Sequence, residues 1–528
     1  WGAFASIDAP TSLWTRSQWN RKSGFAYNAS SESLDMMARA SRALAETVAD
    51  PGIEGMFNLG DLEQRAAYPE SGADSVLVFN TLPWERTVAV EEPELHGWAA
   101  PAGVLEAFFP RNVPWGGVRP ATELRRVSGT VPAFGYAFLS LDAAPAGADL
   151  ASSEYTIENA FYRVTVDPKT GALAEWYDKE LGKNLASSYK GWGLGQYVYE
   201  RVESDEGRQA LFYGDFSLPD FGYGRTDTPW DRSTVTSVTA SAPEIAHGRA
   251  MITVRVEAAG IRGGTCTYTL ESNQKTLAID WELDKLHETG IEAVFIALPF
   301  HLGTPNFRAD VNGVPFEPEA DQLSGTVKDW YPAGRWIGVD DGETSILVAP
   351  LDAPLMHIGG ITTGKWARTL EPEGPTLMSW ALQNHWMVNF KASQGGLIPL
   401  RYRLTSQAGP IDDIAAWKFG AEVSTSPITL RDYLRTGDET GRFLDIPESL
   451  PVMAWAKPAE DGDGIVVRLQ NLSTDPIDVP LSVLAAPPTS ATTTSPLEID
   501  DTSLVLNGST ALVHVGANDI QSVRFRFA

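Results

Sequence analysis

The chain has 528 residues, 43% of them apolar and 21% charged, and a formal net charge of −27. That length exceeds one simple core and implies several domains. The acidic excess argues against nucleic acid and anionic membranes as partners, because both require a basic face. No apolar run approaches the ~18 residues that a membrane helix needs. Cys266 is the single cysteine, so the chain forms no disulfide within itself.

In chain order, the first segment reads as helical. In "SSESLDMMARASRALAETVAD", Leu34, Met37, Ala38, Leu44, Ala45 and Val48 fall on one stripe of 3.6-residue spacing. Ser30 and Ser31 are N-cap candidates for this helix. Either the helix starts at one of these serines or it continues a preceding one through "LWTRSQWNRKSGFAYNA", and "DPG" at 50–52 is the stop. A stripe this narrow has to pack on other helices, so a small bundle is expected. After Asp74 the period changes to two. "SVLVFN" and "TVAV" come first, then "YRVTVD", "ALAEWYD", "MITVRVEAAG", "TCTYTLES", "TLAIDWEL", "SILVAP", "LIPLRYRL", "IVVRLQN" and "VRFRFA". Short strands separated by Gly, Pro, Asn and Asp turns predict antiparallel β-sandwiches. No alternation of strands with helices is present, so a parallel barrel is not expected within the chain. The expected organisation is a helical part over 1–70, a small sandwich over 71–150, a large β domain over 151–445 and a last sandwich over 446–528.

Chemistry-bearing residues are sparse. The seven histidines are scattered, with no pair at ligand spacing on one helix, and no Gly-rich phosphate loop occurs. Cys266 in "GGTCTYTL" reads as a buried strand residue. His357 and His385 read as structural histidines. His287 and Glu288 adjoin, but neighbouring strand residues point to opposite faces, which argues against an acid–base pair. Seventeen tryptophans invite sugar stacking. Trp330, Trp336 and Trp366 sit in Gly- and Pro-rich loops, where sites concentrate.

Three stretches resemble glycoside hydrolase family 38, the zinc-dependent α-mannosidases. "SVLVFNTLPWERTVAVE" is similar to that family's first β domain. "YTIENAFYRVTVDPKTGALAEWYDKELGKNL" is similar to the opening of its large β domain, and "LMSWALQNHWMVNFKASQGGLIPLRYRL" to a later Asn-x-Trp-x-x-Asn-Phe landmark with a following Gln-Gly and Arg-Tyr strand. The resemblance covers about two-thirds of the chain. It implies a mainly β fold: a short helical-bundle part, then antiparallel sandwiches, the central one a large mutarotase-like supersandwich.

The resemblance also implies a context. "WGAFASIDAP" looks like the tail of the family's His-Thr-Trp-Gly-Ala segment, which would place this chain just past the N-terminal catalytic barrel. The family's His-x-Asp-x-Gly-Trp motif is absent from the sequence. Zinc and the Asp nucleophile of a retaining exo-α-mannosidase would then belong to the missing barrel, leaving neither catalytic residues nor a bound metal on this chain alone. The implied partners are that barrel and an α-mannoside or related glycan, and the implied location is cytoplasmic rather than secreted. In the family a Tyr shortly after the "YDKE" strand reaches the pocket. Tyr197 in "GWGLGQYVYERV" is the positional match and Tyr199 the runner-up, while Trp1 would lie beside the zinc shell. The alternatives are a stand-alone carbohydrate-binding protein and a mutarotase-like enzyme with its own His/Glu pair.

Overall fold

The computed structural model describes residues 11–51, 75–92, 125–141, 147–202, 230–363, 367–385, 391, 393–430 and 433–528. The chain divides into two units: Trp1–Asn28 with Gly147–Ser424, and Ala29–Ala146 with Thr425–Ala528.

One helix, Leu13–Ala45, runs through both stretches, so the second continues the first. Ser12 is its cap, with its Oγ accepting from the Thr15 N–H at 3.2 Å. Ser30 and Ser31 lie inside it. A serine starts a helix only where the preceding backbone has left helical geometry, and no proline or glycine between Phe25 and Ala45 makes it do so. The helix stops ahead of the "DPG" turn, and Ala49–Pro51 is instead a short strand paired with Tyr433–Arg435. Ala45 and Ala49 are buried with Leu77, Phe79, Tyr136 and Phe138, and Leu44 and Val48 pack against them.

The rest is mainly β, and every strand pairing among the described residues is antiparallel. The exception is a second helix, Asp413–Ser424, with Asp412 capping the Ala415 N–H at 2.8 Å. Its Ala416, Trp417, Gly420 and Ala421 face inward. Gly420 makes a close approach there: a Cβ would lie 3.0 Å from Arg335 and 3.1 Å from Trp336.

In the first unit a ten-stranded and a six-stranded sheet enclose the largest core. The long strands Arg249–Glu257, Ile261–Glu271, Leu277–Lys285 and Gly396–Ala408 lie side by side in the larger sheet. The smaller sheet runs Asp231–Thr234, Tyr197–Arg201, Glu292–Pro299, Thr376–Gln383, Leu355–Ile358, Tyr331–Pro332. Glu292–Pro299 is buried on both faces. Its Val294, Ile296 and Leu298 enter the core between the sheets, and Ala293, Phe295 and Ala297 enter a second cluster on the outer face. In the second unit, a four-stranded and a five-stranded sheet built from Leu444 onward share a separate core that includes Val467, Leu481, Val513 and Phe525.

The polar residues in the motifs of the sequence act as latches. Asn80 donates to the Trp84 carbonyl at 2.8 Å and accepts from the Leu82 N–H at 3.0 Å. Asn159 donates to the Glu271 and Gln274 carbonyls and accepts from the Phe161 and Tyr162 N–H groups, all within 2.9 Å. Asp178 accepts from the Glu180 and Leu181 N–H groups and from Ser406 Oγ at 2.6 Å. Each closes a turn whose backbone groups would otherwise be buried without partners.

Candidate functional site

The site is built on strand Tyr197–Arg201, second in the six-stranded sheet. Alternation puts Tyr197 and Tyr199 on the face toward the core, and Val198 and Glu200 on the outer face. The two faces carry different chemistry.

On the inner face every polar end is occupied. Tyr197 is fully buried, its ring 6.2 Å from that of Trp281, and its hydroxyl donates to the Ala259 carbonyl at 2.8 Å. Tyr199 donates to Glu292 Oε2 at 2.7 Å, and Lys285 Nζ donates to Glu292 Oε1 at 2.6 Å and to the Leu286 carbonyl at 3.0 Å. The Glu292 N–H donates to Asn384 Oδ1 at 2.6 Å. Burial raises both phenols, and for Tyr199 the adjacent Glu292 carboxylate adds to it.

The outer face is less complete. Glu200 is 0% exposed, and its Oε2 accepts from Arg232 Nε at 2.7 Å. Among the described residues its Oε1 has no hydrogen-bond donor; it lies 3.8 Å from His385 Nε2, beyond hydrogen-bonding reach. Burial pushes the Glu200 carboxyl up to about 7 against the lowering effect of Arg232. Burial pushes His385, also 0% exposed, down to about 3, so its imidazole is neutral. Aromatic rings continue from there: Trp230 is 5.1 Å and Trp380 5.2 Å from the His385 ring, and Trp330 is 5.3 Å from Trp380. His357 lies 5.0 Å from Trp380, and its Nδ1 accepts from the Thr362 N–H at 3.0 Å, which leaves the ring proton on Nε2. The arrangement holds one carboxyl that changes charge near neutrality beside a neutral imidazole, inside an aromatic wall.

Trp1 and Trp366 lie outside the described residues. Trp330 joins the outer-face row, whereas Trp336 is a core residue packed with Leu347 and Ala416. His287 and Glu288 do separate work. His287 Nε2 pairs with Ser393 Oγ at 2.7 Å, and Glu288 accepts from the Thr289 and Gly290 N–H groups. Glu200 and Arg232 escaped the sequence reading. The available signal was a carboxylate between Val198 and Val202, sharing their outward parity in the strand. Among the described residues no three His, Cys, Asp or Glu side chains converge in the manner of a metal site. The zinc that the resemblance implies does not find its ligands among these described residues.

No known protein family matches the chain, and no curated protein does. Among solved structures it is similar to an α-mannosidase from Enterococcus faecalis V583, at 13% identity and a TM-score of 0.58, over 93% of this chain and 58% of that one. It is similar to a protein of glycosyl hydrolase family 38 from Enterococcus faecalis, at 13% identity and a TM-score of 0.58, over 93% of this chain and 60% of that one. Over nearly its whole length the chain therefore has the fold of these proteins, and it spans less than two thirds of their length. A galactose mutarotase-like protein from Lactobacillus casei ATCC 334 matches 48% of the chain at a TM-score of 0.27, too low to bear on the fold.

Proposed function

We propose that this chain is the helical and β portion of a retaining exo-glycosidase of the family 38 type that acts on terminal α-mannosides. In this reading the zinc-assisted Asp nucleophile belongs to a catalytic barrel outside the chain. One observation carries it: the chain follows the fold of an α-mannosidase over 93% of its own length while spanning 58% of that protein. Its two units would serve as the frame against which the barrel and the glycan are held. In isolation the chain would hydrolyse no aryl α-mannoside, because retention requires a pair of carboxyl groups flanking the scissile bond.

The test begins with the coding sequence upstream of residue 1. It should encode a segment with His-x-Asp-x-Gly-Trp, and the continuous polypeptide should release phenol from an aryl α-mannoside in a chelator-sensitive reaction. If the upstream sequence lacks that segment, or if the chain alone turns over the substrate, the proposal fails. Sugar binding without turnover by the continuous polypeptide would favour a carbohydrate-binding protein instead.

A further inference from the structure

A cleft of about 340 Å³ opens on a five-stranded sheet of the first unit, which includes strands Ala151–Ser153, Thr156–Glu158, Tyr162–Val166 and Leu173–Asp178. Its lining comes entirely from residues 153–174, all of them described. That volume is at the lower end for small-molecule sites and suits one ring rather than an extended chain. We propose that the cleft binds a single neutral pyranose ring, with Tyr155 as the surface on which the ring stacks and Glu154, Asp167 and Thr156 as acceptors for its hydroxyls. This is a binding site only, and it does not rest on the catalytic reading above.

Two local irregularities shape the cleft. Thr165 pairs with Glu175 but Val166 pairs with Leu173, so Ala174 is the extra residue of a bulge. Ala174 is exposed and only a methyl long, and it forms part of the lining. The second irregularity is the two-residue turn Glu154-Tyr155 between the first two strands. The Val166 N–H donates to the Tyr155 carbonyl at 3.0 Å and ties this turn to the neighbouring strand. Glu154 has a φ of 44°, which glycine or asparagine adopts with less strain. A strained residue held in a tied turn is a feature that clusters at ligand sites. The half-buried Tyr155 ring, Pro168 and Ala174 supply apolar surface. The polar groups of the lining are set to accept. The Lys169 N–H and the Thr170 hydroxyl orient the Asp167 carboxylate, each at 2.9 Å, and both oxygens keep a lone pair. The Thr165 hydroxyl donates to Glu175 Oε2 at 3.3 Å, so the proton in its 3.0 Å pair with Thr156 is that of Thr156, whose oxygen is left to accept. Glu175 itself is held by Arg163 through two bonds of 2.8 and 2.9 Å. The lining has two carboxylates and no Lys or Arg, which disfavours an anionic ligand. A pyranose matches this combination, because its C–H faces are apolar and its hydroxyls donate.

The experiment is saturation-transfer NMR on the whole chain with methyl α-mannopyranoside and methyl α-glucopyranoside, with and without calcium and with tetramethylammonium as a competitor. At least one sugar should bind with a Kd of about 1 mM, independently of calcium. Tyr155→Ala should weaken binding about tenfold, and Tyr155→Phe, which keeps the ring, should not. Glu154→Gln should weaken it about fivefold through loss of a charged acceptor. Ala174→Trp fills the cleft from an exposed position without removing a lining contact, and should abolish binding with Tm unchanged. This variant decides the matter if Tyr155→Ala fails to fold. Absence of saturation transfer with both sugars, binding that survives Ala174→Trp, a requirement for calcium, or displacement of the sugar by tetramethylammonium overturns the proposal. Because the readout is binding by this chain and not turnover, failure here leaves the glycosidase reading standing, and the reverse holds too.

Discussion

The two faces of the six-stranded sheet each bury a carboxyl group, and the two are held differently. On the inner face Glu292 has a donor on each oxygen, Lys285 on one and Tyr199 on the other. On the outer face Glu200 has Arg232 on one oxygen and, among the described residues, no donor on the other. A saturated ionic network specifies one geometry and resists change. An unsaturated one stores an unmet bond and leaves a group whose charge depends on pH. The difference separates a structural pair from a responsive one within a few residues of the same strands.

The largest effect should come from breaking the inner pair. Lys285→Met removes the cation and leaves Glu292 buried without it, which should cost about 3–5 kcal/mol in urea unfolding. A loss below about 1 kcal/mol would show that the inner network is not the fixed element described here.

The next effect sharpens the contrast on the outer face. The folded-state value of Glu200 is raised from 4.5 to about 7, so the folded state binds the proton more tightly. Its contribution is complete below pH 4.5 and is lost as pH rises through about 7, to a total of about 3 kcal/mol. His385 is lowered from 6.5 to about 3, so its contribution is present above pH 6.5 and is lost as pH falls. The two slopes oppose each other between pH 4.5 and 6.5. Above pH 6.5 Glu200 acts alone, and about 1 kcal/mol of stability should disappear by pH 8 in the wild type but not in Glu200→Gln. Parallel stability–pH curves for the two proteins would contradict this.

A smaller effect tests the inner face at Tyr197. Tyr197→Phe deletes the hydrogen bond to Ala259 and should cost about 1 kcal/mol. If the hydroxyl is only a structural donor, KM for an aryl α-mannoside in the continuous polypeptide should not change. A raised KM would instead make it a substrate contact.

The strands were legible because alternation and turn residues are local signals. "SILVAP", "IVVRLQN" and all of "TLAIDWEL" after Thr276 lie within strands. The helix Leu13–Ala45 was legible in type but not in extent, because cap-forming serines at Ser30 and Ser31 carry the same signal whether or not the helix is already running. The helix Asp413–Ser424 went unread: it is short, contains Gly420, and is held by packing of Trp417 and Ala416 rather than by a long stripe. Tyr197 was legible as a strand residue, but its face depends on register with Glu292–Pro299, which no local pattern reveals. The outer cluster was harder still. Glu200, Arg232 and His385 come from three segments and meet only through the pairing of the sheet. His385 and Glu200 stand far apart in the chain, so no local pattern links them.

The most direct test of the central claim is proton NMR of the sugar first released from an aryl α-mannoside by the continuous polypeptide that contains this chain. The account predicts α-mannose as the initial anomer, as retention through a glycosyl-enzyme requires. β-Mannose appearing first, or no mannose at all, would contradict it.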